Sequence, residues 1–288
     1  MESGRHDPQE SATSDALRPN DPADTTTPYG VHAVAGTVGT AGRTGSGVAR
    51  RDPRQLAELS PRDLAALRFI GMWICAQYQL ALHVFPSVSE TVVSRCVQRL
   101  LALGLIAVER WNRIGLNMLR LRTAGLRLLE ERGLATQSEL FVPRSAVATK
   151  DLRHHLWIVD VGLAFAALPG DYKVLPCWAL RRRFAGQKVP VPDLLAVAKD
   201  GSRILAVEVD LGSERTKWLS AKLATLATTV DELRGHGRAG IVVFTVGEKR
   251  IGSLRAQIEG SSIPIVIVGL PSVVGRPSVA ALQDILRG

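Results

Sequence analysis

Apolar residues recur at helical spacing in two stretches that begin after residue 55. The first stretch begins at Ser60 and Pro61, which suit the N-cap and the first helical position, and Asp63 follows in the first turn. The second stretch follows Ser89 and ends at Gly104, a residue type that often terminates helices. The apolar positions are Leu64, Leu67, Ile70, Ile74 and Leu80 in the first stretch, and Val92, Val93, Cys96, Val97, Leu100, Leu101 and Leu103 in the second. The spacing predicts two helices.

A hairpin and a third helix are predicted next. Strand-like runs cover residues 105–108 and 118–121, and the turn-rich segment 111–117 separates them. A short helix follows over residues 123–132. Helix, helix, hairpin and helix is the order of a winged helix-turn-helix domain. We therefore predict a DNA-binding domain of this type over residues 56–140.

The second half of the chain alternates strands with helices. One helix is predicted over residues 152–168, a longer one over 214–234, and a further one before the last strand. The turn at residues 199–202 suits a β-hairpin. Strands are predicted over residues 173–178, 189–198, 203–210, 240–246 and 263–268. This order predicts an α/β domain with a mixed central sheet over residues 145–288.

Positive charge is concentrated in the part of the chain that is predicted to fold. Residues 1–55 are rich in Thr, Ser, Gly, Asp and Pro and have no sustained apolar period, so a disordered leader is expected there. The net charge of the chain is +9 and its pI is about 10.0. The first 50 residues hold four Arg against six Asp and Glu. The excess therefore favours a polyanionic partner, DNA above all, although a basic composition without such a partner stays open.

Several classes of protein are disfavoured by the sequence. The three cysteines, Cys75, Cys96 and Cys177, form no C-x-x-C pair, so neither a disulfide framework nor a zinc knuckle is indicated. No apolar run is long enough to span a bilayer, and the N-terminus lacks the pattern of a secretory signal. No Ser-His-Asp or Cys-His arrangement has suitable spacing. We expect a cytoplasmic protein without a membrane partner.

Three carboxylates are predicted to meet at one edge of the second sheet. Glu208 and Asp210 are two residues apart in one strand and share a face. The hairpin places Asp193, at the start of the preceding strand, beside them. Like charges at this distance repel unless a cation or a proton intervenes, and such oxygen donors suit Mg²⁺ or Mn²⁺. The alternative is a set of acids without a metal, retained at the surface or for packing.

The same residues resemble the motif of the PD-(D/E)xK nuclease superfamily, whose core is a helix, three antiparallel strands, a helix and a strand. Pro192-Asp193 matches the PD, and Glu208-Val209-Asp210 occupies the (D/E)xK position. The chain departs from the motif because Asp210 stands in place of the lysine. The resemblance implies that a lysine of the following helix, Lys222 in preference to Lys217, replaces it. It also implies a catalytic set of Asp193, Glu208, Asp210 and Lys222 that binds Mg²⁺ or Mn²⁺.

A second pattern covers more of the chain. It consists of His155–Asp160, Val191–Asp193, Glu208–Glu214 and Lys222. These segments resemble the replication-relaxation family of plasmid and mobile-element proteins over residues 56–268. Membership would imply association with DNA during the replication or transfer of such elements.

Arginines mark the surfaces that are expected to meet DNA. Residues 97–106 resemble a recognition helix and its exit into the wing, where cations contact phosphates or base edges. A second cluster precedes the Asp193 strand and would follow the backbone of a substrate. The predicted DNA-binding residues are Arg95, Arg99, Arg110, Arg113, Arg181, Arg182 and Arg183. The alternative for both clusters is a solvated polar surface.

Three functions remain open from the sequence. The first is a DNA-binding protein with a metal-dependent endonuclease activity. The second is a non-catalytic winged-helix regulator whose second domain forms a homodimer or binds another partner. The third is a structural adaptor that does not contact DNA, and it predicts that any mobility shift of DNA shows little dependence on salt.

Overall fold

The computed structural model shows a mixed helical and β-sheet protein, as the sequence predicts. It describes residues 58–111, 116–143, 152–168, 171–186, 189–212, 215–233 and 235–270. The expected leader at residues 1–55 and the boundary near residue 145 lie outside the described residues. Within them the chain forms eight helices and two sheets.

The first sheet has the strand order β1-β3-β2 and belongs to the segment before residue 140. The helices and strands of this segment are α1 (Pro61–Trp73), β1 (Cys75–Ala76), α2 (Gln77–Val84), α3 (Glu90–Ala102), β2 (Ile106–Trp111), β3 (Leu116–Leu121) and α4 (Thr123–Glu131). Strands β2 and β3 form the predicted antiparallel hairpin.

The start of α1 is the predicted cap. The side-chain hydroxyl of Ser60 accepts a hydrogen bond from the Asp63 amide at 3.1 Å, and Asp63 Oδ2 accepts one from the Ser60 amide at 3.1 Å. Reciprocal hydrogen bonds of this kind provide acceptors for backbone amides in the first turn, which have no acceptor within the helix. Arg99 of α3 lies 2.7 Å from the same carboxylate oxygen. One buried carboxylate therefore both caps α1 and ties it to α3.

The continuous helix predicted through Ile74 to Leu80 is wrong. The chain leaves α1 at Ile74, whose φ of 45° is left-handed, and Cys75 and Ala76 pair with β3. Gln79 then caps α2, since its side chain accepts a hydrogen bond from the Ala76 amide at 2.9 Å. Periodicity could not reveal the break, because Ile74 and Leu80 are buried on either side of it. Cys75 is consequently a strand residue.

The second sheet is mixed, as predicted, with the order β4-β5-β6-β7-β8. Strands β4, β5 and β6 are antiparallel neighbours, whereas β6, β7 and β8 are parallel. The turn between β5 and β6 has Gly201 at a φ of 71°, and the Ser202 amide donates to Asp200. The elements are α5 (Leu152–Ala166), β4 (Tyr172–Pro176), α6 (Cys177–Arg183), β5 (Leu194–Ala198), β6 (Arg203–Asp210), α7 (Thr216–Leu233), β7 (Arg238–Val246), α8 (Glu248–Ile258) and β8 (Ile265–Leu270).

The two faces of β6 pack on different helices. Val207 and Val209 belong to the core cluster that includes α5. Ala206 belongs to the cluster that includes residues of α7 and α8. Because side chains alternate along a strand, Glu208 and Asp210 point toward the side of α7 and α8. Strand β6 thus presents both acids to two helices that follow it in the chain.

Residues 177–183 form a helix, not the strand end and loop that the sequence predicts. Both apolar side chains of this helix, Trp178 and Leu180, have partners that are distant in the chain. Trp178 stacks on Phe141, and Leu180 is buried with α7 and α8. A segment this short carries too few apolar positions to distinguish the two periods.

Helix α5 joins the two sheets through buried contacts. Its residue Gly162 packs against the ring of Trp73 in α1. Its Asp160 accepts hydrogen bonds from Tyr78 Oη at 2.9 Å and from Gln79 Nε2 at 2.7 Å. One continuous cluster of buried side chains extends from α1 through α5 to β6. Among the described residues, no helix combines the length and apolar character that crossing a bilayer requires.

Candidate functional site

Asp193 and Glu208 lie side by side at the end of the β5–β6 hairpin. Asp193 immediately precedes β5, and the register that pairs Leu194 with Val207 brings it next to Glu208. Its backbone carbonyl accepts a hydrogen bond from the Cys177 amide at 2.9 Å, which holds it beside the end of β4. Glu208 is only 2% exposed. The hairpin geometry predicted from the sequence therefore brings these two carboxylates together.

Lys222 of α7 reaches back to Glu208. Its Nζ lies 2.6 Å from Glu208 Oε2, and the side chains of both residues are largely buried. A buried carboxylate requires a charged or hydrogen-bonding partner, and the ammonium group provides one. The structure thus brings Lys222, the lysine that the sequence favours, to the acidic residues.

Asp193 is held by groups from two elements. Its Oδ2 accepts a hydrogen bond from the Val209 amide at 2.9 Å and lies 3.3 Å from Nε2 of His154 in α5. Nε2 of His154 also lies 2.6 Å from the carbonyl oxygen of Val209. His154 was not among the residues that the sequence singled out. Its neighbour in the chain, His155, fits the family pattern. Nothing in the sequence indicates which of the two histidines lies beside Asp193.

The hydrogen bonds and charges within this cluster shift the pKa values of Asp193 and His154. Burial raises the pKa of Asp193, but the hydrogen bond and charge of His154, together with the charge of Lys222, hold it below its usual value. Burial lowers the pKa of His154, but the hydrogen bond and charge of Asp193 raise it above its usual value. At neutral pH Asp193 is therefore a carboxylate, held by His154 and near the charge of Lys222.

Asp210 belongs to a separate network. Its Oδ2 accepts hydrogen bonds from Arg250 Nε at 2.7 Å and from Thr245 Oγ1 at 3.0 Å. Its Oδ1 accepts one from the Gly212 amide at 3.0 Å. Nη1 of Arg250 donates to Thr216 Oγ1 at 2.7 Å. The sequence did not identify Arg250, which joins α8 to β6 through Asp210 and to α7 through Thr216.

Of the three predicted carboxylates, Asp193 and Glu208 are the two that lie side by side. Mg²⁺ is commonly bound through one or two carboxylates and completed by water or phosphate oxygens, and Asp193 and Glu208 offer such a pair. Asp210 is not part of this pair, since its oxygens bond to Arg250, Thr245 and Gly212 in a separate network. Across the described ranges, no group of three or more His, Cys, Asp and Glu side chains is arranged to hold a metal ion. The predicted three-carboxylate arrangement is not formed.

His155 and Asp160 face away from this cluster. His155 Nε2 lies 2.7 Å from the carbonyl oxygen of Ile74 and 3.0 Å from that of Trp73. Burial lowers its pKa. Asp160 contacts Tyr78 and Gln79. His155 therefore connects α5 to the end of α1, and Asp160 connects it to α2. Glu214, the last residue of the family pattern, lies outside the described residues.

The predicted DNA-binding arginines have different surroundings. Arg95 is exposed on α3, and Arg99 is half exposed while it pairs with Asp63. Arg182 donates to the carbonyl oxygens of Gln137 and Leu140 at 2.7 and 3.1 Å. Its neighbours on α6, Arg181 and Arg183, are exposed. The Arg110 side chain and all of Arg113 lie outside the described parts of the chain.

Comparison with family models identifies the chain over most of its described length. Residues 67–241, more than half of the chain, match the model described as replication-relaxation. The matched segment contains the Asp193–Glu208 pair and Lys222, and it ends before Arg250. No curated protein and no solved structure matches the chain.

Proposed function

The chain belongs to the replication-relaxation family, which indicates a role in the replication or relaxation of plasmids and mobile elements, and from this we propose two activities. The segment before residue 140 binds DNA as a winged helix-turn-helix domain. The second sheet carries a PD-(D/E)xK-like site that cleaves a phosphodiester bond with Mg²⁺ or Mn²⁺.

The order of the first elements supports DNA binding. Three helices, α1 to α3, precede the antiparallel hairpin of β2 and β3. The third of them, α3, ends directly before the hairpin. In winged helix-turn-helix domains this helix enters the major groove. Its exposed Arg95 suits contact with a phosphate or a base edge.

The single observation that carries the nuclease proposal is the position of Lys222. A helix, three antiparallel strands, a helix and a further strand, here α5, β4 to β6, α7 and β7, form the core of the resembled superfamily. The PD-(D/E)xK motif of that superfamily consists of two acids and a lysine. Asp193 and Glu208 supply the acids, and Lys222 places its ammonium group 2.6 Å from Glu208 although it lies on the next helix.

The chemistry follows from the charges of the residues. A divalent cation bound by Asp193 and Glu208 would polarise a phosphate oxygen and lower the pKa of a coordinated water. His154 and the Val209 amide orient Asp193 and keep it ionised. The ammonium group of Lys222 orients the attacking water or stabilises negative charge on the phosphate. Arg181 and Arg183 favour the approach of a polyanionic substrate.

Nicking of supercoiled plasmid tests this proposal. Purified protein with Mg²⁺ or Mn²⁺ should nick the plasmid, and EDTA should stop it. Asp193→Ala, Glu208→Ala and Lys222→Met should each reduce the rate by about 100-fold, because each removes a group that acts on the reacting phosphate. Asp200→Asn is the matched control, since Asp200 lies in the exposed turn at the opposite end of the same hairpin. Absence of nicking by the wild type, or nicking that survives the first two substitutions, would contradict the proposal.

A non-catalytic regulator is the second candidate, and one observation favours it. The chain itself neutralises two of its acids, Glu208 through Lys222 and Asp210 through Arg250. In this case the second sheet would serve dimerisation or the binding of a partner. Sequence-specific DNA binding that Asp193→Ala and Glu208→Ala leave unchanged, without nicking by the wild type, would support the regulator.

Substitution of Arg95 tests how the protein meets duplex DNA. Arg95→Ala should weaken binding and reduce the slope of log Kd against log salt by about 1, because one phosphate contact is lost. The measurement is a titration of labelled duplex at several salt concentrations. Lys249→Ala removes an equal charge from α8 and should leave the slope unchanged. Equal slopes for both variants and the wild type would remove Arg95 from the interface, and a slope near zero for the wild type would support the adaptor.

A further inference from the structure

Trp218 is exposed where most large apolar side chains are buried. Its relative exposure is 56%, which is the highest among the large hydrophobic residues of the described chain, whereas Trp73 and Trp157 are 5% and 0% exposed. Tryptophan loses a large amount of favourable burial when its ring faces water. The exposed ring of Trp218 on α7 is therefore open to stacking by an aromatic ligand.

The ring of Trp218 stands next to the candidate site. Lys222 follows one turn later on α7, and its Nζ lies 5.8 Å from the centre of the Trp218 ring. The same ammonium group lies 2.6 Å from Glu208 Oε2. One lysine thus contacts both the exposed ring and Glu208 of the carboxylate pair. A molecule that stacks on Trp218 would lie within reach of the groups that are proposed to cleave DNA.

The surroundings of the ring are cationic. Arg215 and Lys217, in the sequence immediately before Trp218, are both exposed. Interfaces between proteins are enriched in tryptophan and arginine but depleted of lysine at their centres. The positive charge of this surface favours a polyanionic ligand over a second protein. A ligand with a flat aromatic face and a negative charge is a better fit. Nucleotides have both, and base stacking on aromatic side chains combined with basic residues along the backbone is the usual way of binding single strands.

Stacking also restricts the kind of DNA. In a duplex the faces of each base are covered by its neighbours, so a ring at the protein surface can stack only on a base that is unpaired or at an end. We propose that Trp218 is a stacking platform for an unpaired nucleobase of DNA whose phosphate backbone passes Lys222. The substrate of the site would then be single-stranded or locally unpaired DNA. This inference rests on the proposed function of the Asp193–Glu208 site.

Binding of labelled oligothymidylate tests the inference without any cleavage. Titrations in EDTA compare the wild type with Trp218→Ala, Trp218→Phe and Leu233→Ala, since Leu233 is also exposed and lies at the other end of α7. Trp218→Ala should weaken binding to the single strand by about 10-fold or more, the range of one base stacked on an aromatic ring. Trp218→Phe should retain most of the affinity, Leu233→Ala all of it, and binding to duplex should not change in any variant.

The outcomes separate this inference from the nuclease proposal. Unchanged affinity of Trp218→Ala for the single strand would overturn the inference, and so would an equal loss on single strand and duplex. Conversion of a dimer to a monomer by Trp218→Ala, with DNA binding unaffected, would assign the ring to a protein interface instead. If the wild type does not nick plasmid but Trp218→Ala loses single-strand affinity, only the nuclease activity is rejected. If the wild type nicks and Trp218→Ala binds like the wild type, only the stacking role is rejected.

Discussion

Arg250→Met should destabilise the protein by about 3–5 kcal/mol, the usual cost of removing one partner of a buried ion pair. The Asp210 carboxylate, whose side chain is 3% exposed, would keep its bonds from Thr245 and Gly212 but lose the guanidinium charge. The Thr216 hydroxyl would also lose its donor. Chemical unfolding followed by circular dichroism measures the difference.

A second substitution separates charge from packing. Asp210→Asn combined with Arg250→Met removes both charges, so the double variant should be more stable than Arg250→Met alone. Arg255→Met changes an exposed arginine of the same helix and should cost less than about 0.5 kcal/mol. A loss for Arg250→Met as small as that of Arg255→Met would show that Asp210 does not depend on its guanidinium partner.

Gly162→Val should destabilise the protein by about 3 kcal/mol, because it overpacks the contact between α5 and α1. A Cβ at this position would lie 2.5 Å from one carbon of the Trp73 ring and 3.0 Å from a second. Trp73 is 5% exposed, so its ring has little room to move. Thermal unfolding of the full chain measures the effect, and the loss should be smaller for Gly162→Ala than for Gly162→Val.

Gly252→Ala is the matched control, because a Cβ at this position of α8 would meet no atom within 4 Å. Alanine should stabilise this exposed helical position by about 1 kcal/mol. Substitutions at two helical glycines should therefore shift stability in opposite directions. A stable Gly162→Val variant would mean that α5 and α1 can separate without cost.

The sequence predicts the acidic pair because local rules determine it. Alternation along β6 and the turn at residues 199–202 suffice to place Asp193 beside Glu208. The N-cap of α1 follows in the same way from Ser60 and Asp63. Each of these features depends on residues that are close in the chain or joined by one hairpin.

The partners of the acids could not be predicted by such rules. Arg250 is 40 residues from Asp210 in the chain, and its position depends on how α8 crosses the sheet. His154 and His155 are equivalent in the sequence, yet one meets Asp193 and the other meets the end of α1. Helix α6 and the break at Ile74 escaped prediction for a related reason, since packing against distant residues decides both.

The end of α1 has a consequence for the order in which the chain folds during synthesis. Its last carbonyl groups accept hydrogen bonds from the side chains of later elements: Met72 from Trp178, and Trp73 from His155. These donors are 106 and 82 residues further along the chain. The ribosome therefore exposes the first sheet before it exposes the side chains that bond to the end of α1. The first sheet and its helices are synthesised first, but the contacts at the end of α1 wait for α5 and α6.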